Sequence, residues 1–325
     1  MPSQITRRSL LTGLGATAFV RYSPLRADTK KPLKGIFPIV ATPFTDSKAV
    51  DYEDLAHEVD FLDRCGVHGI VWPQLASEYQ SLTKEERLLG METLARAHRG
   101  KKSALVFGVQ GETKDAALEY TRHAEKLDPD ALIAIPPRQA TTLDDYHDYY
   151  GAIARATERP VFIQTTGGAP GLEPKTAFLI DLAKEFPHLG YIKEEWSPVI
   201  PRMIELASHR PAFKSVFSGN GGRGMMYEWR LGMDGTMPGS PYADLYVQVW
   251  DAYQAGDRDK AREIFSKLLL MLNCESQVEG TRQYVMKKRG VFKTSVSRRQ
   301  TFTLTPEAIA EIEYHWQGCK PYLKT

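Results

Sequence analysis

Eight short runs rich in β-branched and aromatic residues recur along this chain, and helical spacing fills the segments between them. The runs are GIFPIVATP (35–43), VHGIVWP (67–73), SALVFGV (103–109), DALIAIP (130–136), PVFIQTT (160–166), LGYIKEE (189–195), FKSVFSGN (213–220) and GMDGTMPGS (232–240). Between the first two, Leu55, Val59, Phe61 and Leu62 recur at near-helical intervals. Between the second and third, Thr83 followed by Glu86 gives the capping-box pattern of a helix start. Strands that alternate with helices must lie parallel, because each crossover returns the chain to the same end of the sheet. Eight such units predict an α/β fold of the (β/α)8 TIM-barrel type. A doubly wound sheet is the competing architecture, but FPIVATP lacks the glycine-rich first turn it usually carries.

After residue 241 the strand pattern stops and helical spacing continues. YADLYVQVWDAYQAG (242–256) supplies the eighth barrel helix. The segments 259–273, 276–290 and 305–317 read as three further helices. No Pro/Gly-rich linker separates them, so the expectation is a barrel over 35–256 with helices of 257–325 docked on it.

The N-terminus follows another logic. TRRSLLTGLGATAFVRYSPLRA pairs Arg7 and Arg8 ahead of a short apolar stretch and a small residue at Ala27. This is the pattern of a twin-arginine export signal over 1–27 and predicts a periplasmic protein. Of the 42 basic residues, four lie in this segment and none of the 40 acidic ones does, so processing turns a formal charge of +2 into a slightly negative one. That balance gives no reason to expect a nucleic-acid partner. No apolar run is long enough to span a bilayer, so no membrane anchor is expected after processing. Three scattered cysteines and eight histidines without ligand spacing offer no thiolate zinc site, redox motif or metal site.

Within a barrel of this kind, chemistry sits at the C-terminal ends of the strands. Lys193, in YIKEE, stands near the end of the sixth. Taken alone, the segment reads as a strand-end salt bridge. Pointed into the barrel mouth, the lysine is instead a desolvated amine, able to attack a ketone and form a Schiff base. The iminium is an electron sink that permits C–C cleavage or loss of a β-substituent without metal or organic cofactor.

The chain from Gly35 onward also resembles the dihydrodipicolinate synthase/N-acetylneuraminate lyase family of class I aldolases. VATPFTDSKAVDYEDLAHEVDFL, GVHGIVW, SEYQSLTKEER, YIKEE, FSGN, LGMDGTMPGS and YVMKKRGV carry the likeness in order and spacing. The resemblance implies that Lys193 is the Schiff-base lysine, that a small 2-oxo acid is the ligand, that no cofactor or metal is needed, and that barrels assemble as homo-oligomers, commonly tetramers.

The departures bear on mechanism. The family's second-strand loop reads G-T/G-T-G-E; here it is Gln74-Leu75-Ala76-Ser77-Glu78, with apolar Leu75 or Ala76 where a threonine relays protons and Ser77 keeping a hydroxyl one position along. Backbone N–H groups of that loop can still grip a carboxylate. The fifth strand's Y-N-x-P becomes FIQTTGGAPG, so Gln164, which cannot exchange a proton near neutral pH, replaces a general acid/base tyrosine. The arginine that usually follows is missing, and Arg138, after the fourth strand, is a candidate replacement or a solvated loop residue. Glu195 lies on the same strand face as Lys193 and is the first candidate base, with Glu78, Tyr79 or a carboxylate of the substrate behind it; Glu78 also reads as a holder of loop geometry, and Glu194 points away. Thr165, Thr166, Asn220, Arg223 and Ser240 complete the candidate mouth. The expected function is a Schiff-base lyase, aldolase or dehydratase, on a 2-oxo acid possible to derive from a sugar acid. The alternative is a catalytically silent binding protein on the same barrel, favoured by Gln164 and Leu75-Ala76 and opposed by Lys193.

Overall fold

The computed structural model describes residues 31–299 and 302–324. The segment read as an export signal, 1–27, lies outside the described residues. Eight parallel strands form the central sheet: β1 (Gly35–Ile36), β2 (Gly69–Trp72), β3 (Ala104–Gly108), β4 (Ala131–Ala134), β5 (Val161–Gln164), β6 (Tyr191–Glu194), β7 (Ser215–Ser218) and β8 (Gly235–Thr236). The hydrogen-bonded order runs β1-β8-β7-β6-β5-β4-β3-β2, and parallel bridges from Ile39 to Val71 and to Gly239 close it. The expected TIM barrel is therefore the observed fold. Helices α1 (Tyr52–Cys65), α2 (Lys84–Ala97), α3 (Lys114–Lys126), α4 (Leu143–Ala156), α5 (Thr176–Glu185), α6 (Val199–Ser208), α7 (Met225–Arg230) and α8 (Ala243–Gln254) form the outer ring. Thr83 and Glu86 form the capping box that starts α2.

Strand alternation sorts side chains into two cores. Phe37, Val71, Val106, Ile133, Phe162, Tyr191 and Phe217 fill the barrel interior. Phe217 packs edge-on to Phe37 at 4.9 Å and to Phe162 at 5.4 Å, a favoured geometry for aromatic pairs. The alternate residues Ile70, Leu105, Leu132, Ile163, Ile192 and Val216 pack outward under the helices. On β6 this parity sends Tyr191 and Lys193 inward, and Ile192 and Glu194 outward.

Beyond the barrel, α9 (Arg258–Gln277), α10 (Thr281–Lys288) and α11 (Pro306–Cys319) continue the chain. The helix expected over 276–290 is split: α9 ends at Gln277, and Gly280 turns the chain at φ 87°. Arg289 clamps the tail to α8, donating to the fully buried Asp244 at 2.6 and 3.0 Å. The segment after α10 then crosses the starts of α1 and α2. Lys293 N–H donates to Asp54 at 2.7 Å, and Arg298 binds both carboxylate oxygens of Glu86 at 2.6 and 2.7 Å. Cys65, Cys274 and Cys319 are buried. Among the described residues no helix is long and apolar enough to cross a membrane, and no group of three or more His, Cys, Asp or Glu is placed to hold a metal.

Candidate active site

Lys193 sits at the end of β6 with only 6% of its side chain exposed. Its Nζ donates to Gln164 Oε1 at 3.0 Å and lies 3.4 Å from Glu195 Oε2. Gln164 is its register partner on β5, and is held in turn by donating Nε2 to Thr166 O at 3.3 Å. The amide thus occupies the lysine's flank as a hydrogen-bond acceptor.

Glu195 is tightly fixed. Its Oε2 accepts from Thr166 Oγ1 at 3.0 Å, and its Oε1 from the Asn220 N–H at 2.8 Å. A Cβ on Gly219 would stand 1.9 Å from Glu195 Oε1, so only glycine leaves room for the carboxylate. Burial pushes the Glu195 pKa upward, but the Lys193 charge and the two hydrogen bonds outweigh it and hold the carboxyl below its ordinary value. A second carboxyl, Glu228 of α7, is buried nearby. Burial raises it to about 7, the Ser218 hydroxyl opposing and the Glu195 charge adding to the rise.

Glu194 faces the other way and is fully buried. It accepts from Arg202 Nε at 3.1 Å, Thr165 Oγ1 at 2.8 Å and the Trp196 N–H at 2.6 Å. Thr165 also accepts from the Glu195 N–H at 2.9 Å, so it shapes the turn after β6 and its hydroxyl is engaged away from the mouth.

A cavity of about 210 Å³ opens above the lysine, with Lys193, Glu195, Leu75, Ala76, Arg282 and Arg299 in its lining. Leu75 and Ala76 open a one-turn 3₁₀ helix, so no helical carbonyl faces their N–H groups, and these have no acceptor among the described residues. Ser77 is spent on the fold: its hydroxyl donates to Val40 O at 2.5 Å and accepts from the Gln74 N–H at 3.1 Å. Glu78 accepts the N–H groups of Arg298 and Arg299 and so fastens the tail, and Tyr79 is absent from the cavity lining. Asn220 contributes its N–H while its side chain is exposed. Arg223 is fixed to Leu272 O at 2.8 Å. Arg138 is exposed after β4 and outside the cavity lining. Ser240 lines an adjoining chamber of about 20 Å³ together with Thr42, Glu78 and Arg282.

Sequence reasoning missed Arg282 and Arg299. No motif marks them; only the docking of the tail across the mouth brings them to the cavity.

The Dihydrodipicolinate synthetase family profile matches residues 32–315. The chain is 27% identical over 255 residues to a 4-hydroxy-tetrahydrodipicolinate synthase of Methanopyrus kandleri, covering 73% of this chain and 79% of that one. It is 24% identical over 286 residues to an L-2-keto-3-deoxyarabonate dehydratase of Azospirillum brasilense, covering 86% and 92%. In structure it is similar to a dihydrodipicolinate synthase from Rhodopseudomonas palustris, with a TM-score of 0.80, 23% identity, and 88% and 97% of the two chains covered. The match across nearly the whole described chain shows that this protein belongs to the Dihydrodipicolinate synthetase family.

Proposed function

We propose that this protein is a Schiff-base lyase that acts on a 2-oxo acid derived from a sugar acid and removes water from it. The carrying observation is the buried Lys193 Nζ, held between Gln164 Oε1 and Glu195 Oε2 at the floor of the cavity. Glu195 takes a proton from the Lys193 ammonium, and the free amine adds to the C2 carbonyl. Return of that proton to the carbinolamine hydroxyl releases water and leaves the iminium. The carboxylate then accepts the C3 proton, and the resulting enamine expels the C4 hydroxyl as water as Glu195 gives the proton back. Hydrolysis of the iminium frees product and lysine. Leu75 and Ala76 N–H groups receive the carboxylate next to the ketone.

The dehydratase among the relatives supports elimination, and Glu195 as sole base is sufficient for it. NMR of reactions with 2-oxo-3-deoxy sugar acids tests this. The expected product is the dehydrated acid, lost in Lys193→Ala. Pyruvate plus an aldehyde would replace dehydration by aldol cleavage, and binding without turnover would favour the silent binder.

The same reading places the protein in the periplasm, supported by Arg7-Arg8 and the apolar stretch that follows. A fusion of residues 1–35 to a reporter that is active only after export tests it, with Arg7→Lys/Arg8→Lys expected to abolish the signal. Assembly as a homotetramer is proposed from the family resemblance, and light scattering on the purified protein decides it.

A further inference from the structure

We infer that the substrate carries a second anionic group, so that this protein acts on a 2-oxo diacid whose far carboxylate is held by Arg282 and Arg299. This rests on the Schiff-base reading of Lys193 and extends it to the other side of the cavity.

Both arginines come from the C-terminal segment and line the cavity that contains Lys193. Arg282 also lines the small adjoining chamber, which Ala76 reaches but Lys193, Glu195 and Leu75 do not, so it stands toward the side away from the reacting amine. Its guanidinium is held in place. Nε and Nη2 both pair with Glu275 Oε1 at 2.5 Å, and the group lies 3.4 to 3.6 Å from where a Cβ on Gly239 would stand. Nη1 has no protein acceptor among the described residues. Arg299 is positioned through its backbone, the N–H donating to Glu78 Oε2 at 2.8 Å, while its guanidinium is exposed and accepted by no described residue.

The charges argue the same way. Lys193 and Glu195 offset each other, and Glu275 offsets Arg282. The Arg299 guanidinium meets no carboxylate among the described residues, so one of the lining cations is left to meet an anion. A single carboxylate is already provided for by the Leu75 and Ala76 N–H groups. Guanidinium groups match a carboxylate with directed, charge-assisted hydrogen bonds, and at a second point they fix the length of the chain between two anions. At about 210 Å³ the cavity is larger than a three-carbon acid needs.

The test compares two six-carbon probes, 2-oxoadipate and 2-oxohexanoate, which differ by carboxylate against methyl at the far end. Adduct on Lys193 is trapped with borohydride across probe concentrations and read by mass, with pyruvate run in parallel. The expected half-saturating concentration is at least tenfold lower for the diacid in the wild type. In Arg299→Ala that ratio falls to near one, and in the wild type it shrinks as salt screens the far contact. Arg282→Gln takes the guanidinium from the partly buried Glu275 and can loosen the tail, so the exposed Arg299 is the deciding variant. Equal concentrations for the two acids, a ratio unchanged in Arg299→Ala, or an adduct with pyruvate alone overturns the diacid reading and leaves the Schiff base standing. No adduct with any of the three overturns both.

Discussion

Gln164 and Lys193 are register partners on adjacent parallel strands, and the amide oxygen accepts the lysine's hydrogen bond at 3.0 Å. The position given to a proton-exchanging tyrosine in the family pattern is thus used here to aim the amine. Gln164→Leu removes the acceptor and lets Nζ collapse toward Glu195. A hydrogen bond to a charged group is worth about 1.5–3 kcal/mol, so iminium formation should slow by roughly tenfold or more. Single-turnover trapping with pyruvate measures it, and an unchanged rate would remove Gln164 from the machinery.

Glu195→Gln keeps the carboxylate's shape and an oxygen for the Asn220 N–H, but cannot move a proton. Loss of a general base lowers kcat by about 10²–10⁴-fold. The wild-type pH profile follows from the depressed pKa. Glu195 stays ionised down to a pH below its ordinary value of 4.5, so the acid limb of kcat/KM belongs below that value. In Glu195→Gln that limb should vanish together with the rate. An acid limb at the same pH in both proteins would assign it to another group.

Behind the strand, Arg202 is the counter-ion that lets Glu194 be fully buried. Arg202→Met leaves the Glu194 carboxylate with only the Thr165 hydroxyl and the Trp196 N–H. Breaking a buried pair by removing one partner costs about 3–5 kcal/mol. Urea unfolding should register a loss of that order. A loss under about 1 kcal/mol would show that water or protonation of Glu194 compensates.

The barrel was legible because parity and period are written in the side chains: PVFIQTT and LGYIKEE place alternate residues inward, which puts Gln164 and Lys193 on one face and Glu194 on the other. Glu195 could be paired with Lys193 from the same parity. The roles of Ser77, Thr165 and Asn220 could not be read this way. Their polar atoms serve turns whose partners, Val40, Glu194 and Glu195, are set by loop geometry instead of strand spacing. Arg138 was a sound candidate by charge, yet the loop after β4 leaves it exposed. Arg282 and Arg299 were invisible for a further reason. A helical tail advertises its own buried face, while the surface it docks against depends on long-range pairs such as Arg298–Glu86 and Arg289–Asp244.

Glu58, on α1 beneath the loop after β1, gives a prediction about stability. Its Oε1 accepts the Ala41 N–H at 3.0 Å, and the buried carboxyl lies beside the Ser240 hydroxyl. Burial pushes its pKa up to about 8 from an ordinary 4.5, against the pull of the Ser240 hydroxyl and the Ala41 N–H. The folded protein therefore holds a proton that the unfolded chain releases. That stabilisation is complete below pH 4.5 and is lost as pH rises toward 8. Glu58→Gln is neutral at every pH and its amide N–H₂ can donate to Ser240 Oγ. At pH 5 the variant and parent should unfold at similar urea concentrations. By pH 8.5 the variant should be the more stable, by roughly 3–5 kcal/mol at a rate of 1.36 kcal/mol per pKa unit. The two unfolding curves at each pH decide the matter: a difference that does not grow between pH 5 and 8.5 would mean that Glu58 is ionised in the folded protein across that range.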